Sequence, residues 1–438
     1  MRRTALIGLT VAALACTGIP TAFAADSPPA GPAGAVLSPL TPAAASGPAP
    51  TASGVGRQLA SLLRGSQDLT AMVIDPQSDA VLLDSRAGTG MIPASTAKLA
   101  TAAAALQVLG PDHRIATLVR MSGDTVYLVG GGDPSLRLTG KQRPGDPASI
   151  AELARAAARQ LPAGAKVSVA YDDHAFHGST LGPGWSRSFP RLGVVPPITA
   201  LVADGGRATP GGNSRVADPA QAAAEAFGRE LGRHGVVVQS VSRGRAPADA
   251  PEIARVESQP VARLVETMLT DSENAYAESL AHLVGGASLG KPTFAGGAEA
   301  TQQALEALGI DTSGMSLQDG SGLSRGDRIS ASTLSRILDL VADGTEPVLA
   351  AIGQGLPVAG FTGTLADRFT SPAARPARGN VLAKTGTLTG VIALAGLART
   401  ESNRLLVFAV MDNHATSLDG SRERMDRIAA ALAQCGCS

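Results

Sequence analysis

From residue 69 onward the chain alternates between strand-length apolar runs and longer alanine- and leucine-rich stretches. Thr70-Ala-Met-Val-Ile-Asp75 and Ala80-Val-Leu-Leu-Asp84 read as strands, with Pro76-Gln-Ser-Asp79 as the turn between them. Val55 to Leu63 reads as a short preceding helix. Leu99 to Leu109 has strong helix-forming composition and stops at Gly110-Pro111. Further helices are predicted over Val261 to Leu269 and Asn274 to Val284. The C-terminal third carries apolar runs at Val381-Leu-Ala383, Val391 to Leu397 and Leu405 to Met411. The turn Thr400-Glu-Ser-Asn403 joins the last two into a hairpin. Arg422 to Ala433 predicts a closing helix with Met425, Ile428, Ala429 and Leu432 on one face, suited to packing on a sheet.

The middle of the chain has its own rhythm. A strand over Thr125-Val-Tyr-Leu-Val129 runs into Gly130-Gly-Gly-Asp-Pro134. A helix follows over Ala148 to Gln160, then a strand over Val167-Ser-Val-Ala-Tyr171, then a loop-rich segment with the only tryptophan, Trp185. With 438 residues there is room for two folded units. The expected division is one domain built from residues 55–116 and 259–434, with residues 117–258 inserted into it. Ahead of both, residues 25–54 are Pro, Ala, Gly and Ser with almost no charge, a flexible linker.

Residues 1–24 read as a Sec-type signal peptide. Arg2 and Arg3 precede the short apolar run Ala5 to Ala15, and Ala22-Phe23-Ala24 sets the cut before Ala25. That predicts export to the wall space or medium. Cys16 sits in a poor lipoprotein context, and no later run is long enough to span a bilayer, so no firm membrane anchor is expected after cleavage.

Charge and composition remove several function classes. The 37 basic and 37 acidic residues cancel, which argues against nucleic-acid or anionic-membrane binding. Aromatics at 3% give no base-stacking platform. The six histidines include no H-x-x-x-H pair for a zinc peptidase. Cys435 and Cys437 read as a local disulfide or as two frayed thiols, since two sulfurs without neighbouring histidines are half a metal site.

Lysine usage is informative. Only five lysines occur (98, 141, 166, 291 and 384) among 37 basic residues. Arginine cannot lose its proton in a protein, so a lysine kept in an arginine-rich chain suits a site that needs a neutral amine. Lys98 lies three residues after Ser95 in Pro93-Ala-Ser-Thr-Ala-Lys98, which on a helix places both on one face. Pro93 favours a helix start, where the dipole disfavours an ammonium. A hydroxyl beside a neutral amine is a nucleophile and base pair. Lys384-Thr-Gly386 lies on a strand-like run; composition alone produces such a triplet in about one such chain in twenty, so it carries weight. A strand edge there can pair with an extended peptide, and Gly386 would let its backbone come close. Ser272-Glu-Asn274 stands at a helix start. The plain reading is N-capping; the chemical one is a proton relay by Ser272, with the Asn274 amide holding both a catalytic lysine and a substrate amide.

Together, Ser95-x-x-Lys98, Ser272-x-Asn274 and Lys384-Thr-Gly386 resemble the three motifs of penicillin-recognising serine peptidases and β-lactamases. The wider pattern resembles the low-molecular-mass class C penicillin-binding proteins, D-alanyl-D-alanine carboxypeptidases that also act as endopeptidases on peptidoglycan crosslinks. The matching stretches are Leu128-Val-Gly-Gly-Gly-Asp-Pro-Ser-Leu136, Gln318-Asp-Gly-Ser-Gly-Leu-Ser-Arg325, Leu356-Pro-Val-Ala-Gly360 with Gly363-Thr-Leu365, and Ala383-Lys-Thr-Gly-Thr-Leu388. The segment between Ser95 and Ser272 is shorter than in members with two extra domains, so one inserted domain is expected.

The resemblance implies an α/β fold: a mostly antiparallel sheet with helices on both faces. It implies Ser95 as nucleophile, Lys98 as base, Ser272 and Lys384 as proton carriers, and the N–H groups of Ser95 and Thr387 as oxyanion donors. Thr385 and Thr387 would bind the terminal carboxylate of a stem peptide, and Asn274 its amide. Asp172 would grip a diaminopimelate amine and Arg325 its carboxylate. β-Lactams would be covalent inhibitors, and no metal or cofactor is implied. Two rivals are a β-lactamase and an inert cell-wall binding protein. Gly286-Ala-Ser-Leu-Gly290 matches a nucleophile elbow, but it follows a helix-like stretch, where that elbow needs a strand. Asp319 to Gly322 reads as a tight turn without a catalytic role.

Overall fold

The computed structural model describes residues 49–64, 68–140, 145–209 and 211–437. The predicted signal peptide and most of the predicted linker lie outside the described residues. Elements are numbered along the chain.

The main sheet takes two strands from the front of the described chain, β1 (Leu69–Asp75) and β2 (Ala80–Ser85), and three from its end. Those three are β10 (Val381–Leu388), β11 (Val391–Arg399) and β12 (Leu405–Asp412). The order is β10-β11-β12-β1-β2, antiparallel throughout. All seven residues of β1 and all eight of β12 are buried, because helices cover both faces. Such strands read as continuous apolar runs, with no alternating pattern. The period of two still sorts the faces. Met72, Ile74, Val407, Ala409 and Met411 join one core, and Ala71, Val73, Leu406, Phe408 and Val410 the other.

The first core is closed by α2 (Lys98–Leu109), α5 (Val261–Thr270), α6 (Asn274–Leu289), α7 (Phe294–Ala307), α8 (Ala331–Asp343) and α9 (Ala350–Gly355). The second is closed by α1 (Ala52–Leu63) and α10 (Leu418–Ala433), whose Met425, Ile428, Ala429 and Leu432 are buried as their spacing predicts. Helix α1 begins at Ala52, inside the stretch read as linker, because Thr51 caps it by accepting the Gly54 N–H at 3.1 Å. Neither terminal cysteine is a frayed thiol. Cys435 and Cys437 form a disulfide, and the Cys437 carbonyl accepts the Thr51 N–H at 2.7 Å.

A second five-stranded sheet lies between α2 and α5. Its strands are β4 (Ala116–Ser122), β5 (Thr125–Val129), β6 (Lys166–Asp172), β7 (Val237–Arg243) and β8 (Glu252–Glu257), in the order β7-β6-β5-β4-β8. The pairs β5–β6 and β6–β7 are parallel. Helices α3 (Ile150–Ala158) and α4 (Pro219–Arg233) close a separate core around Leu128, Val169, Leu153 and Phe227. A two-residue ribbon pairs β3 (Gly90–Met91) with β9 (Ile329–Ser330). The elbow-like Gly286–Gly290 stretch is the end of α6, with Gly290 left-handed at its C-cap, so no strand feeds it.

Candidate active site

The site forms where three motif-bearing elements meet. Ser95 lies in a 3-10 turn, Ala94–Ala97, that opens directly into α2 at Lys98. Lys98 is fully buried, and its Nζ donates to Ser95 Oγ at 3.0 Å, Asn274 Oδ1 at 2.7 Å and the Ser321 carbonyl at 2.8 Å. Burial pushes the amine down to about 8, against the pull of Glu278, Asp319 and Glu273. A lysine so placed is half neutral near pH 8, keeps a substantial neutral fraction at physiological pH, and touches the hydroxyl it would deprotonate.

Ser272 does not cap α6. It precedes the helix with φ of 58°, a left-handed backbone rare for a side chain of its kind, and the helix start has no side-chain cap bond. That conformation aims its hydroxyl at Lys384, whose Nζ donates to Ser272 Oγ at 2.9 Å and to the Thr385 carbonyl at 3.1 Å. Lys384 is also fully buried; burial, with the Lys98 charge, lowers its affinity for a proton. Asn274 is held at both ends of its amide: Oδ1 accepts from Lys98, and Nδ2 donates to the Val194 carbonyl at 2.8 Å.

Strand β10 is an edge strand. Its first half is covered by the 357–359 segment: the Ala383 N–H donates to Pro357, and the Ala359 N–H to Val381. Backbone groups alternate sides along a strand, so Thr385 and Thr387 share the outward direction of Val381 and Ala383. Their N–H groups therefore point to the open edge of the sheet. Thr385, Thr387, Ser95, Ser272, Thr364, Arg368 and Arg422 line one cavity of about 490 Å³. Gly386 points the other way. A Cβ there would stand 2.5 Å from the Pro93 carbonyl oxygen, so the nucleophile's own turn makes a close approach that requires glycine.

Behind Lys98 is a layer that motif spacing did not indicate. Fully buried Glu278 accepts the N–H groups of Gly320 (3.0 Å) and Ser321 (2.8 Å). Burial and then the Asp319 charge push its carboxyl up to about 8. Asp319 accepts the Gly322 and Ser324 N–H groups at 2.7 Å and the Trp185 indole N–H at 2.7 Å. The 319–322 stretch is the predicted tight turn, and it also brings the Ser321 carbonyl onto Lys98. The Glu278 signal was present as a lone acid in an apolar helix, a pattern that marks burial without naming a partner.

Arg325 is exposed, and its guanidinium donates to the Thr389 carbonyl at 2.9 Å, just past the end of β10. Asp172 is not brought to the Ser95 cavity. It ends β6, where Oδ1 accepts from the His174 backbone at 3.0 Å and Oδ2 from the Ala246 N–H at 2.8 Å. Burial raises its proton affinity, and these hydrogen bonds outweigh it and lower the carboxyl. The neighbouring Asp173 pairs with Arg243.

A cavity-lining serine paired with a buried lysine, a Ser-x-Asn loop and a Lys-Thr-Gly edge strand define the penicillin-recognising serine peptidase class. The sequence matches the D-Ala-D-Ala carboxypeptidase 3 (S13) family over residues 57–214 and 208–435, and the chain belongs to that family. It is 35% identical to the carboxypeptidase DacB of Mycolicibacterium smegmatis, over 99% of this chain and 96% of the relative. It is 30% identical to a D-alanyl-D-alanine carboxypeptidase of Actinomadura sp., over 78% and 77%. The fold is similar to the crystal structure of penicillin binding protein 4 from Haemophilus influenzae, with a TM-score of 0.71, 23% identity, and coverage of 86% of this chain and 97% of that one.

Proposed function

We propose that the chain is a serine D-alanyl-D-alanine carboxypeptidase, with D,D-endopeptidase capacity, acting on peptidoglycan stem peptides through an acyl-enzyme on Ser95. The observation that carries this reading is the Lys98 amine, buried, at 3.0 Å from Ser95 Oγ. In the first half-reaction Ser95 Oγ bonds to the carbonyl carbon between the two D-alanines, and its proton passes to Lys98. The oxyanion lies against the N–H groups of Ser95 and Thr387. Collapse breaks the peptide C–N bond, and the leaving D-alanine amine takes a proton through Ser272, which Lys384 touches. Water then attacks the ester and releases Ser95.

The hydroxyls of Thr385 and Thr387, with Arg422 on the same cavity wall, take the terminal carboxylate. Asn274 orients Lys98 and keeps one N–H for the substrate amide. Gly386 seats the nucleophile's turn. Arg325, at the rim, takes a diaminopimelate carboxylate. An amine-gripping role for Asp172 requires it to exchange its Ala246 or His174 bond for the substrate ammonium. Residues 117–258, with a sheet and core of their own, act as an inserted domain that holds the rest of the stem. Export through the residue 1–24 signal puts the enzyme where its substrate is; no helix among the described residues is long and apolar enough to cross a membrane.

The test is intact mass over time after adding benzylpenicillin, beside Ser95→Ala. The expected result is a one-to-one adduct that lasts many minutes on the wild type and never forms on the variant. An adduct that vanishes within seconds while drug is consumed makes the protein a β-lactamase. No adduct on either protein leaves a cell-wall binding module.

A further inference from the structure

A second cavity, of about 410 Å³, is lined by residues of the 134–215 stretch and by Glu273, Ala275 and Tyr276 at the start of α6; it shares no lining residue with the Ser95 cavity. Its volume falls in the roughly 300–1,000 Å³ range of organic-ligand sites. Arg137, Arg207, Arg215, Asp204 and Glu273 line it, with apolar wall from Leu136, Val194 and Tyr276. Among the described residues, no salt bridge joins any of these five charges to another group. Arg215 is fixed in place: its guanidinium donates to the carbonyls of Gly205 (3.2 Å) and Gly193 (3.3 Å), and its Nε is buried with no partner. Arg207 donates only to the Gly212 carbonyl at 3.0 Å. Burial, and then the Arg207 charge, work against the Arg215 charge, while Glu273 favours it.

Arg137 and Asp204 are exposed at the cavity mouth, and Asp204 accepts the Leu138 N–H at 3.3 Å. Arg207, Arg215 and Glu273 are half-buried without an ion-pair partner among the described residues, a cost that a ligand of opposite sign relieves. Three cations face two carboxylates here, so the complementary ligand carries carboxylates in excess over amines. The apolar wall suits a short peptide more than a bare ion. We propose that this cavity is a second peptide site, separate from the Ser95 cavity, that binds a short acidic peptide through its carboxylates on Arg207 and Arg215 and its amine on Glu273. Its occupant would touch Val194, whose carbonyl holds Asn274 Nδ2, and Glu273, the residue before Asn274, so it sits one residue from the catalytic lysine's partner.

That the acidic peptide is a stem peptide, or a strand neighbouring the one being cleaved, rests on the function proposed above; the site itself does not.

The experiment titrates the tripeptide L-Ala-γ-D-Glu-meso-diaminopimelate calorimetrically into full-length protein already acylated by benzylpenicillin. The tripeptide lacks D-alanine, and the adduct closes the Ser95 cavity. Formation of the adduct tests the catalytic reading separately, because it is measured before any tripeptide is added. The expected result is one-to-one binding, weakened by added salt, and weakened at least tenfold in both Arg207→Ala and Arg215→Ala but not in Thr385→Ala. Arg215 also supports two loops, so Arg207→Ala is the decisive variant if Arg215→Ala does not fold. Lack of saturation at millimolar tripeptide, equal binding by Arg207→Ala, or full displacement by equimolar inorganic phosphate would each overturn the proposal.

Discussion

The Glu278 carboxylate accepts the Ser321 backbone N–H at 2.8 Å, and the carbonyl of that same Ser321 accepts Lys98 Nζ at 2.8 Å. A fully buried acid on α6 thus fixes one of the three contacts that aim the lysine. Glu278→Ala orphans two buried N–H groups, each at a cost of about 1–3 kcal/mol. The turn then loosens and Lys98 loses a fixed acceptor. Glu278→Gln keeps one acceptor. The expected order of acylation rates by benzylpenicillin is wild type, then Gln, then Ala, with Ala slower by tenfold or more and lower in Tm. Equal rates for all three would remove the positioning role.

Trp185 is the sole tryptophan, is buried, and donates to Asp319 at 2.7 Å while packing edge-on against Phe294 at 5.3 Å. Its fluorescence therefore reports on the turn behind Lys98. A red shift of emission is expected in Glu278→Ala under native conditions, before global unfolding. Trp185→Phe keeps the packing and removes one hydrogen bond to a carboxylate, a loss of about 1.5–3 kcal/mol. Its Tm is expected to fall, with less effect on acylation than Glu278→Ala has. If its acylation falls further than that of Glu278→Ala, the turn is governed from the inserted segment.

The Lys98 amine, pushed down to about 8 by burial, sets the pH dependence. Only the neutral amine can take the Ser95 proton, so the acylation rate constant should climb about tenfold per pH unit below that value and level off above it. Lys98→Arg keeps the charge and removes the neutral form, and it should abolish acylation at every pH. The sign for stability follows from linkage. The folded-state value lies below the ordinary 10.5, so the unfolded chain binds more protons between about 8 and 10.5. This group therefore makes stability rise with pH across that window. A flat acylation profile from pH 6 to 9 would rule out Lys98 as the base.

Much of this was legible in the sequence, for identifiable reasons. Ser95, Lys98, Ser272 and Lys384 stood out because a scarce residue type fell at fixed spacings, and the structure brings all four together. The strands β1, β11 and β12 read clearly because burial on both faces makes them continuous apolar runs. β7 and β8 did not, because edge strands with exposed faces carry polar residues such as Gln239, Ser240 and Arg255 and lose the apolar signal. Glu278 and Ser321 were out of reach for a different cause. The Glu278 carboxyl bonds backbone N–H groups far along the chain, and Ser321 acts through its own backbone, so the acid marks burial while its partners leave no mark on residue identity. Gly386 was flagged for the space it leaves, but a second neighbour, the nucleophile's own turn, was not visible, since a sequence shows that space is needed and not everything that fills it.

That neighbour gives the last prediction. A Cβ on residue 386 would lie 2.5 Å from the Pro93 carbonyl oxygen, 3.2 Å from Ala393 Cβ and 3.3 Å from Ala94 Cβ. All three are backbone or Cβ positions, which cannot rotate away. Ala94 is already held at φ of 48°, a conformation that costs about 1–2 kcal/mol for a residue with a Cβ, so the turn has little room to yield. Gly386→Ala should overpack this seam by about 1–3 kcal/mol and push the Ser95 turn off β10. Tm should drop, and Ser95 should lose reactivity toward every acylating agent, including a small activated ester that makes no contact with the strand edge. Were Gly386 needed only for substrate approach, Tm and ester reactivity would hold while peptide turnover fell. The two outcomes separate on a thermal melt and a single ester assay, with Thr387→Ala as the control that changes the strand's outer face and leaves the seam intact.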